Sequence, residues 1–185
     1  IDPSNGKELF YAKDGSYTYD FSYDDEVICG NTRPDVEGVI GSSLNWKGFS
    51  VSLNFRYQMG ADVFNEALYS KVENISRSDL NKNQDKRALY ERWQEEGDIV
   101  RFKNIASAET TPMSSRFVQE ENVLTLESVY LGYEFYDGWI KKLGLSSLKF
   151  QVSMRDVFRA STIRSERGIS YPFARSMEAG LSFNF

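Results

Sequence analysis

The chain has 185 residues, a net charge of −5, 26% charged residues and a mean hydropathy of −0.49. One cysteine excludes an internal disulfide, and the lack of histidine excludes the common His-based zinc sites and Ser-His-Asp catalysis. The negative balance leaves no footprint for nucleic acid, and no apolar run approaches the roughly 18–20 residues of a spanning helix, although alternating strands remain able to cross a membrane.

Aromatic residues make up 15% of the chain, with 11 Tyr and 13 Phe. Such a composition belongs to β-rich and interface-rich proteins, and a sugar-binding β-sandwich would show it equally. The chain starts at Ile1 without Met or a leader, which predicts that an N-terminal part lies outside it. Cys29 is expected to be a buried thiol.

In chain order, the first feature is acidic: Asp14, Asp20, Asp24, Asp25 and Glu26. Oxygen-rich loops suit a hard cation such as calcium. Here the acidic positions are too thinly spread, and a solvated loop is expected. Next, Ile40, Leu44 and Trp46 alternate with Gly41, Ser43 and Asn45. Lys47-Gly48 then joins them to Phe49, Val51, Leu53, Phe55 and Tyr57, which oppose Ser50, Ser52, Asn54 and Arg56. A two-residue link containing Gly predicts a tight hairpin. Nine residues of period-two alternation give the length of a tilted membrane strand.

The stretch 60–122 predicts one long loop, with a short helix from Asp62 to Leu68 and a better one from Asn83 to Glu95. In the latter, Leu89 and Trp93 lie one turn apart and Gly97 is a plausible stop. Tyr69, Tyr90, Trp93 and Phe102 are the loop's candidate contacts to cargo or to a lid protein. They serve equally as the loop's own small core, with Trp93 at its centre. Glu95, Glu96 and Asp98 read as a solvated helix end, not as a glycosidase pair. No nucleophile with a partner base is evident, so the chain is expected not to be an enzyme and to carry no cofactor and no metal.

Three alternating runs follow. Val129, Leu131, Tyr133 and Phe135 oppose Ser128, Tyr130, Gly132 and Glu134. Leu148, Phe150, Val152 and Met154 oppose Lys149, Gln151, Ser153 and Arg155. Met177, Ala179, Leu181, Phe183 and Phe185 oppose Ser176, Glu178, Gly180, Ser182 and Asn184. Each run alone fits any antiparallel sheet with one wet face. The links at 47–48 and 136–146 are short, those at 60–122 and 159–173 long, and this asymmetry belongs to outer-membrane barrels. About eight strands are the minimum for a closed membrane barrel, and an open sheet in lipid leaves its edges unsatisfied. Further strands are therefore expected to complete the five read here. Gly180 is expected to let backbone or a bulky ring approach. Glu178, Gly180, Phe183 and Phe185 resemble the C-terminal assembly signal of outer-membrane barrels.

Several segments resemble the SusC/RagA family of TonB-dependent transporters. Asn31-Thr-Arg-Pro-Asp-Val-Glu-Gly38 resembles its approach to a strand, and Trp46-Lys-Gly-Phe49 its Tyr-Lys-Gly-Phe hairpin. Arg92-Trp93 with Gly97-Asp98 resembles its Arg-Trp-x-x-x-Gly-Asp loop. Ser115-Arg116-Phe117 and Leu126-Glu-Ser-Val-Tyr-Leu-Gly-Tyr133 resemble its Ser-x-Arg and Leu-x-Gly-Tyr strand. Gln151-Val-Ser-Met-Arg-Asp-Val-Phe158 resembles its penultimate strand, with Asp156 where Asn is usual.

The resemblance implies an all-β fold, with residues 1–185 forming the last strands of an antiparallel transmembrane barrel of about 22 strands around a plug. It implies an extracellular loop with short helices over 60–122 and a periplasmic C-terminus in a Gram-negative outer membrane. The implied activity is TonB-driven import of oligosaccharides or peptides, with a SusD-like surface lipoprotein as partner. The competing readings are a soluble carbohydrate-binding β-sandwich and a piece of a glycoside hydrolase.

Overall fold

The computed structural model describes residues 1–107, 109–164 and 175–185. Two short strands, β1 (Phe10–Tyr11) and β2 (Tyr17–Thr18), pair in a small hairpin. Five longer strands follow: β3 (Val36–Trp46), β4 (Phe49–Phe64), β5 (Val118–Phe135), β6 (Ser147–Ser161) and β7 (Ser176–Asn184). They form one sheet in simple sequence order. The chain divides into two compact units, Ile1–Asn31 with Val63–Gln119, and Thr32–Asp62 with Glu120–Phe185.

Within the sheet, the expected hairpin is present. Lys47 and Gly48 have φ of 46° and 87°, and two positive values in a two-residue link are what a type I′ turn requires. The turn sets the register from Trp46 opposite Phe49 to Val36 opposite Met59. The expected alternation also holds through β5, β6 and β7. Leu131 faces Val152 and Tyr133 faces Phe150, while Phe150 in turn faces Leu181. Apolar partners therefore line one side.

The register shifts once. Leu126 pairs with Phe158 but Ser128 pairs with Arg155, so two residue steps on β5 face three on β6. Asp156 sits in this stretch with φ of 51°, the left-handed region that Asn and Asp tolerate best among residues with a Cβ.

The strands are longer than the alternation alone indicated. β4 has 16 residues, β5 has 18 and β6 has 15, against about 9–11 for a tilted crossing of hydrocarbon. The long connection accordingly runs over 65–117 instead of 60–122. The link from β5 to β6 carries one helical turn, α2 (Trp139–Lys142). The connection expected at 159–173 begins only after Ser161, and from 165 onward it lies outside the described residues.

Inside the other unit the helices differ from expectation. β4 continues through Phe64, so Asp62 starts no helix. Asn65 is the capping residue, its Oδ1 accepting from the Leu68 backbone at 3.1 Å, ahead of a π-helical segment, Leu68–Glu73. The helix expected from Asn83 to Glu95 shrinks to α1 (Arg87–Tyr90). Arg92 ends it: its Nε takes the Ala88 carbonyl at 3.1 Å, the acceptor that a continuing helix would offer to the Arg92 N–H. Trp93 N–H then bonds the Phe102 carbonyl at 3.0 Å. Leu68, Val72, Ala88, Phe102 and Phe117 form this unit's core, with Phe64, Tyr69 and Ile75 packed against it.

Cys29 is exposed, not buried. It lies in residues 26–35, which form no helix or strand and offer no core to cover it.

Candidate functional site

The five-stranded sheet presents two chemically different faces. On one, Asn54 Nδ2 donates to Ser128 Oγ at 2.9 Å, and Arg56 Nε donates to Glu127 Oε1 at 2.5 Å. Farther along, Tyr130 OH donates to Gln151 Oε1 at 3.1 Å, and Lys149 Nζ stands 5.8 Å from the centre of the Tyr130 ring. Arg159 and Ser161 both donate to Glu121 Oε1, at 2.9 and 2.8 Å. These cross-strand pairs form a continuous polar ladder. It offers hydrogen-bond donors and acceptors but no paired nucleophile and base.

The opposite face is apolar and uncovered. Leu44 is 64% exposed and Leu181 60%, and Ile40, Trp46, Phe49, Leu131, Phe150 and Phe183 are exposed as well. Contiguous apolar surface on this scale calls for a non-aqueous neighbour. At the end of the sheet that carries the tight turn, the face becomes aromatic. Phe49 and Tyr133 lie 4.4 Å apart between ring centres, Tyr133 and Phe135 4.6 Å, and Phe135 and Trp139 5.9 Å. Lys47 Nζ lies 5.0 Å from the Trp46 ring. Sequence reading took these aromatics strand by strand and missed that they gather at one end. The signal was their place next to the short links.

The unit built from Ile1–Asn31 and Val63–Gln119 holds a buried charge cluster. Arg116 Nη2 donates to Glu8 Oε1 at 2.9 Å and to Glu73 Oε1 at 2.8 Å. Its Nη1 donates to the Arg101 carbonyl. Thr111 Oγ1 donates to Glu73 Oε1 at 2.9 Å. Burial pushes the Glu8 carboxyl above its usual value, against the pull of Arg116. For Arg116 burial also disfavours the charge, but Glu73 and Glu8 outweigh it and the pKa is raised. Glu8 Oε2 and Arg116 Nε are buried without a hydrogen-bond partner among the described residues. The cluster ties the N-terminal segment to the long connection.

The four loop aromatics separate. Phe102 is 2% exposed in the core, and Tyr69 packs on Phe64 and Phe117. Trp93 is half-buried, displaced from the loop's centre by Phe102, and its Nε1 donates to the Pro3 carbonyl at 2.9 Å. Tyr90 is 78% exposed. Asp98 accepts from the backbones of Gln94 and Glu95 at 2.9 and 3.0 Å, so this acidic stretch caps a turn instead of ending a helix. In the early acidic loop, Asp14 accepts from Ser16 N–H at 2.9 Å and Asp25 from Lys13 N–H at 3.0 Å. No group of three metal-ligating side chains occurs among the described residues. On β7, Glu178 opposes Ser153 and Phe183 opposes Leu148. The group nearest a Cβ at Gly180 is the Gln151 side chain, at 3.1 Å, and not a ring or backbone. Phe185 lies one residue beyond the end of β7 and is 92% exposed.

No family model matches the chain. It is 24% identical over 157 residues to TonB-dependent receptor P39 of Formosa agariphila, covering 83% of this chain and 15% of that protein. It is 23% identical over 204 aligned positions to TonB-dependent receptor P3 of the same organism, covering 100% of this chain and 19% of that protein. The chain thus spans less than a fifth of the length of the curated relatives it matches. Its fold is similar to part of the RagAB peptide importer in its open-open state, with a TM-score of 0.75, 20% identity, and coverage of 100% of this chain and 21% of that one. A further RagAB peptide transporter structure gives a TM-score of 0.77 at 20% identity, covering 100% of this chain and 22% of that one. These relatives are receptors and transporters by name, not enzymes.

Proposed function

We propose that this chain, which resembles part of a SusC/RagA-like TonB-dependent transporter in sequence and fold, serves nutrient import as one wall of an outer-membrane β-barrel. The observation that carries the reading is the sheet's division into a hydrogen-bonded polar face and an exposed apolar face with aromatics at the tight-turn end. Lipid is the neighbour that fits such a face, and aromatic girdles mark membrane–water interfaces. The polar ladder then faces the lumen. The β3–β4 turn faces the periplasm, as does the C-terminal side of β7. The long connection over 65–117 then emerges on the extracellular side. Both edge strands pair with further strands of a barrel of about 22, since open edges cannot remain in hydrocarbon.

The RagAB structures are of a peptide importer. For this chain we infer a cargo of peptide or oligosaccharide, a SusD-like lipoprotein partner, and energy from TonB acting through a plug domain. The chain itself contributes wall, lumen lining and loop contacts instead of bond-making chemistry. Tyr90 is the loop aromatic best placed to meet cargo or the lid, since it is the most exposed of the four candidates.

A pair of substitutions tests the assignment of faces. Leu53→Arg places a charge against hydrocarbon, at about 2–4 kcal/mol near mid-membrane. Asn54→Arg places the same charge on the wet face. The expected result is loss of assembled, cargo-importing barrel with Leu53→Arg and near-normal levels with Asn54→Arg. Equal levels of both would overturn the assignment and favour a soluble carbohydrate-binding sheet.

A further inference from the structure

Beside the Arg116 cluster lies a cleft of about 410 Å³, wholly within the unit of Ile1–Asn31 and Val63–Gln119. Two buried cations, Arg92 and Lys103, line it, and each residue is 6% exposed. Both are held by neutral oxygens. Arg92 Nε donates to the Ala88 carbonyl, its Nη1 to that of Lys103 at 2.9 Å, and its Nη2 to that of Val72. Lys103 Nζ donates to the Glu109 carbonyl.

The one fully buried carboxylate nearby is already engaged. Glu73 Oε1 receives Arg116 and Thr111, and its Oε2 faces the Lys103 backbone N–H at 3.4 Å. Among the described residues, no carboxylate oxygen lies within 4 Å of the side-chain nitrogens of Arg92 or Lys103. Burial lowers the pKa of both cations despite the pull of Glu73. A buried charge without a counter-ion is unfavourable unless something compensates it.

Donors remain to do so. A guanidinium has five N–H groups and an ammonium three, so among the described residues two on Arg92 and two on Lys103 have no hydrogen-bond acceptor. Around them the cleft combines one more cation with the acidic residues Glu73 and Glu109 and with apolar surface. Arg77 is exposed at the cleft, and Ile75, Leu80 and Ile105 supply aliphatic walls, Leu80 and Ile105 being half exposed.

We propose that this cleft binds a carboxylate carried on a small aliphatic group, with Arg92 and Lys103 receiving the carboxylate, Arg77 closing over it and Ile75, Leu80 and Ile105 enclosing the apolar part. The carboxylate would come from the free end of a peptide or from an acidic sugar. The aliphatic walls favour the first. The site stands on its own unit, so it does not rest on the barrel reading.

The test is titration calorimetry on the intact protein in detergent with three probes: N-acetyl-leucine, its uncharged amide, and glucuronate. N-acetyl-leucine is expected to bind at least tenfold more tightly than the amide. Lys103→Met should abolish that preference and Lys103→Arg should keep it. Because Lys103 is buried, Arg77→Gln serves as a second variant. Arg77 is exposed, so the fold is undisturbed, and binding should weaken several-fold. Glucuronate binding in place of N-acetyl-leucine, lost in the same variants, would keep the carboxylate site and assign it to acidic sugars. Equal binding of acid and amide, no binding of either acid, or unchanged binding in Lys103→Met and Arg77→Gln would overturn the proposal. A failure of import with carboxylate binding intact would count against the transport reading alone.

Discussion

Trp93 lies across Gly6: a Cβ built on Gly6 would fall 2.6 Å from Trp93 Cδ2. Gly6 also has φ of 69°, a region where a residue with a Cβ costs about 1–3 kcal/mol. The Trp93 indole N–H reaches the Pro3 carbonyl from the same position, and Gly97 N–H donates to the same carbonyl at 2.9 Å. Gly6→Ala therefore combines backbone strain with displacement of the ring. It should release the N-terminal segment. The check is limited trypsin digestion: cleavage at Lys7 and Lys13 is expected to quicken markedly in the variant. Unchanged cleavage would mean that the Trp93 contact does not hold the segment.

Asp156 occupies the left-handed region where β5 and β6 change register. The SusC/RagA pattern usually carries Asn there, which fits the same conformational demand. Asp156→Asn and Asp156→Gly should leave the stability of the sheet nearly unchanged. Asp156→Val should cost about 1–3 kcal/mol, because a β-branched residue is poorly accommodated at positive φ. The temperature at which the folded band is lost in heat-modified gel migration distinguishes these outcomes.

Glu8 should titrate above its ordinary value of 4.5, because burial raises it more than Arg116 lowers it. Between the ordinary and the raised value the folded state binds more proton than the unfolded state. The stabilising contribution of protonated Glu8 is then fully present below the ordinary value and lost as pH rises through the raised one. A carbon-detected titration of the Glu8 carboxyl measures the midpoint, and Glu8→Gln should remove this part of the pH dependence of stability. A midpoint at or below 4.5 would show that the Arg116 pair dominates instead.

Phe183 faces the same side as Leu148 and Leu181, with Phe185 just past the strand. If the two rings anchor β7 at the periplasmic interface and help the barrel assemble, Phe183→Ser with Phe185→Ser should reduce folded barrel in the outer membrane. The control Ser182→Ala should not. Normal insertion of the double variant would remove these residues from the assembly signal.

The sheet was legible because period-two alternation is local, and each strand carries its own faces. The Lys47-Gly48 turn was legible for the same reason. The buried cluster was not, since Glu8, Glu73 and Arg116 meet only after long stretches of chain are folded together. Nothing near Glu8 in sequence marks it as buried. The expected helix over 83–95 forms only at Arg87–Tyr90, and it does not continue through Arg92, whose side chain turns inward and takes the Ala88 carbonyl for itself. Leu89, one turn from Trp93 on the expected helix, is 65% exposed. Cys29 was misjudged because apolar chemistry favours burial only where a core exists to receive it.

The central claim, that one face of the sheet meets lipid and the other the lumen, is tested most directly by nitroxide spin labels placed one at a time along β4. The exposed Cys29, the one cysteine of these 185 residues, is first replaced by Ser so that it takes up no label. In the intact protein in bilayers, labels at Val51, Leu53 and Phe55 should be relaxed strongly by oxygen, which concentrates in hydrocarbon. Labels at Ser52, Asn54 and Arg56 should be relaxed by a water-soluble nickel chelate. A period-two alternation with this phase is the predicted result. Equal access to the nickel chelate at all six positions, or the opposite phase, would contradict the account.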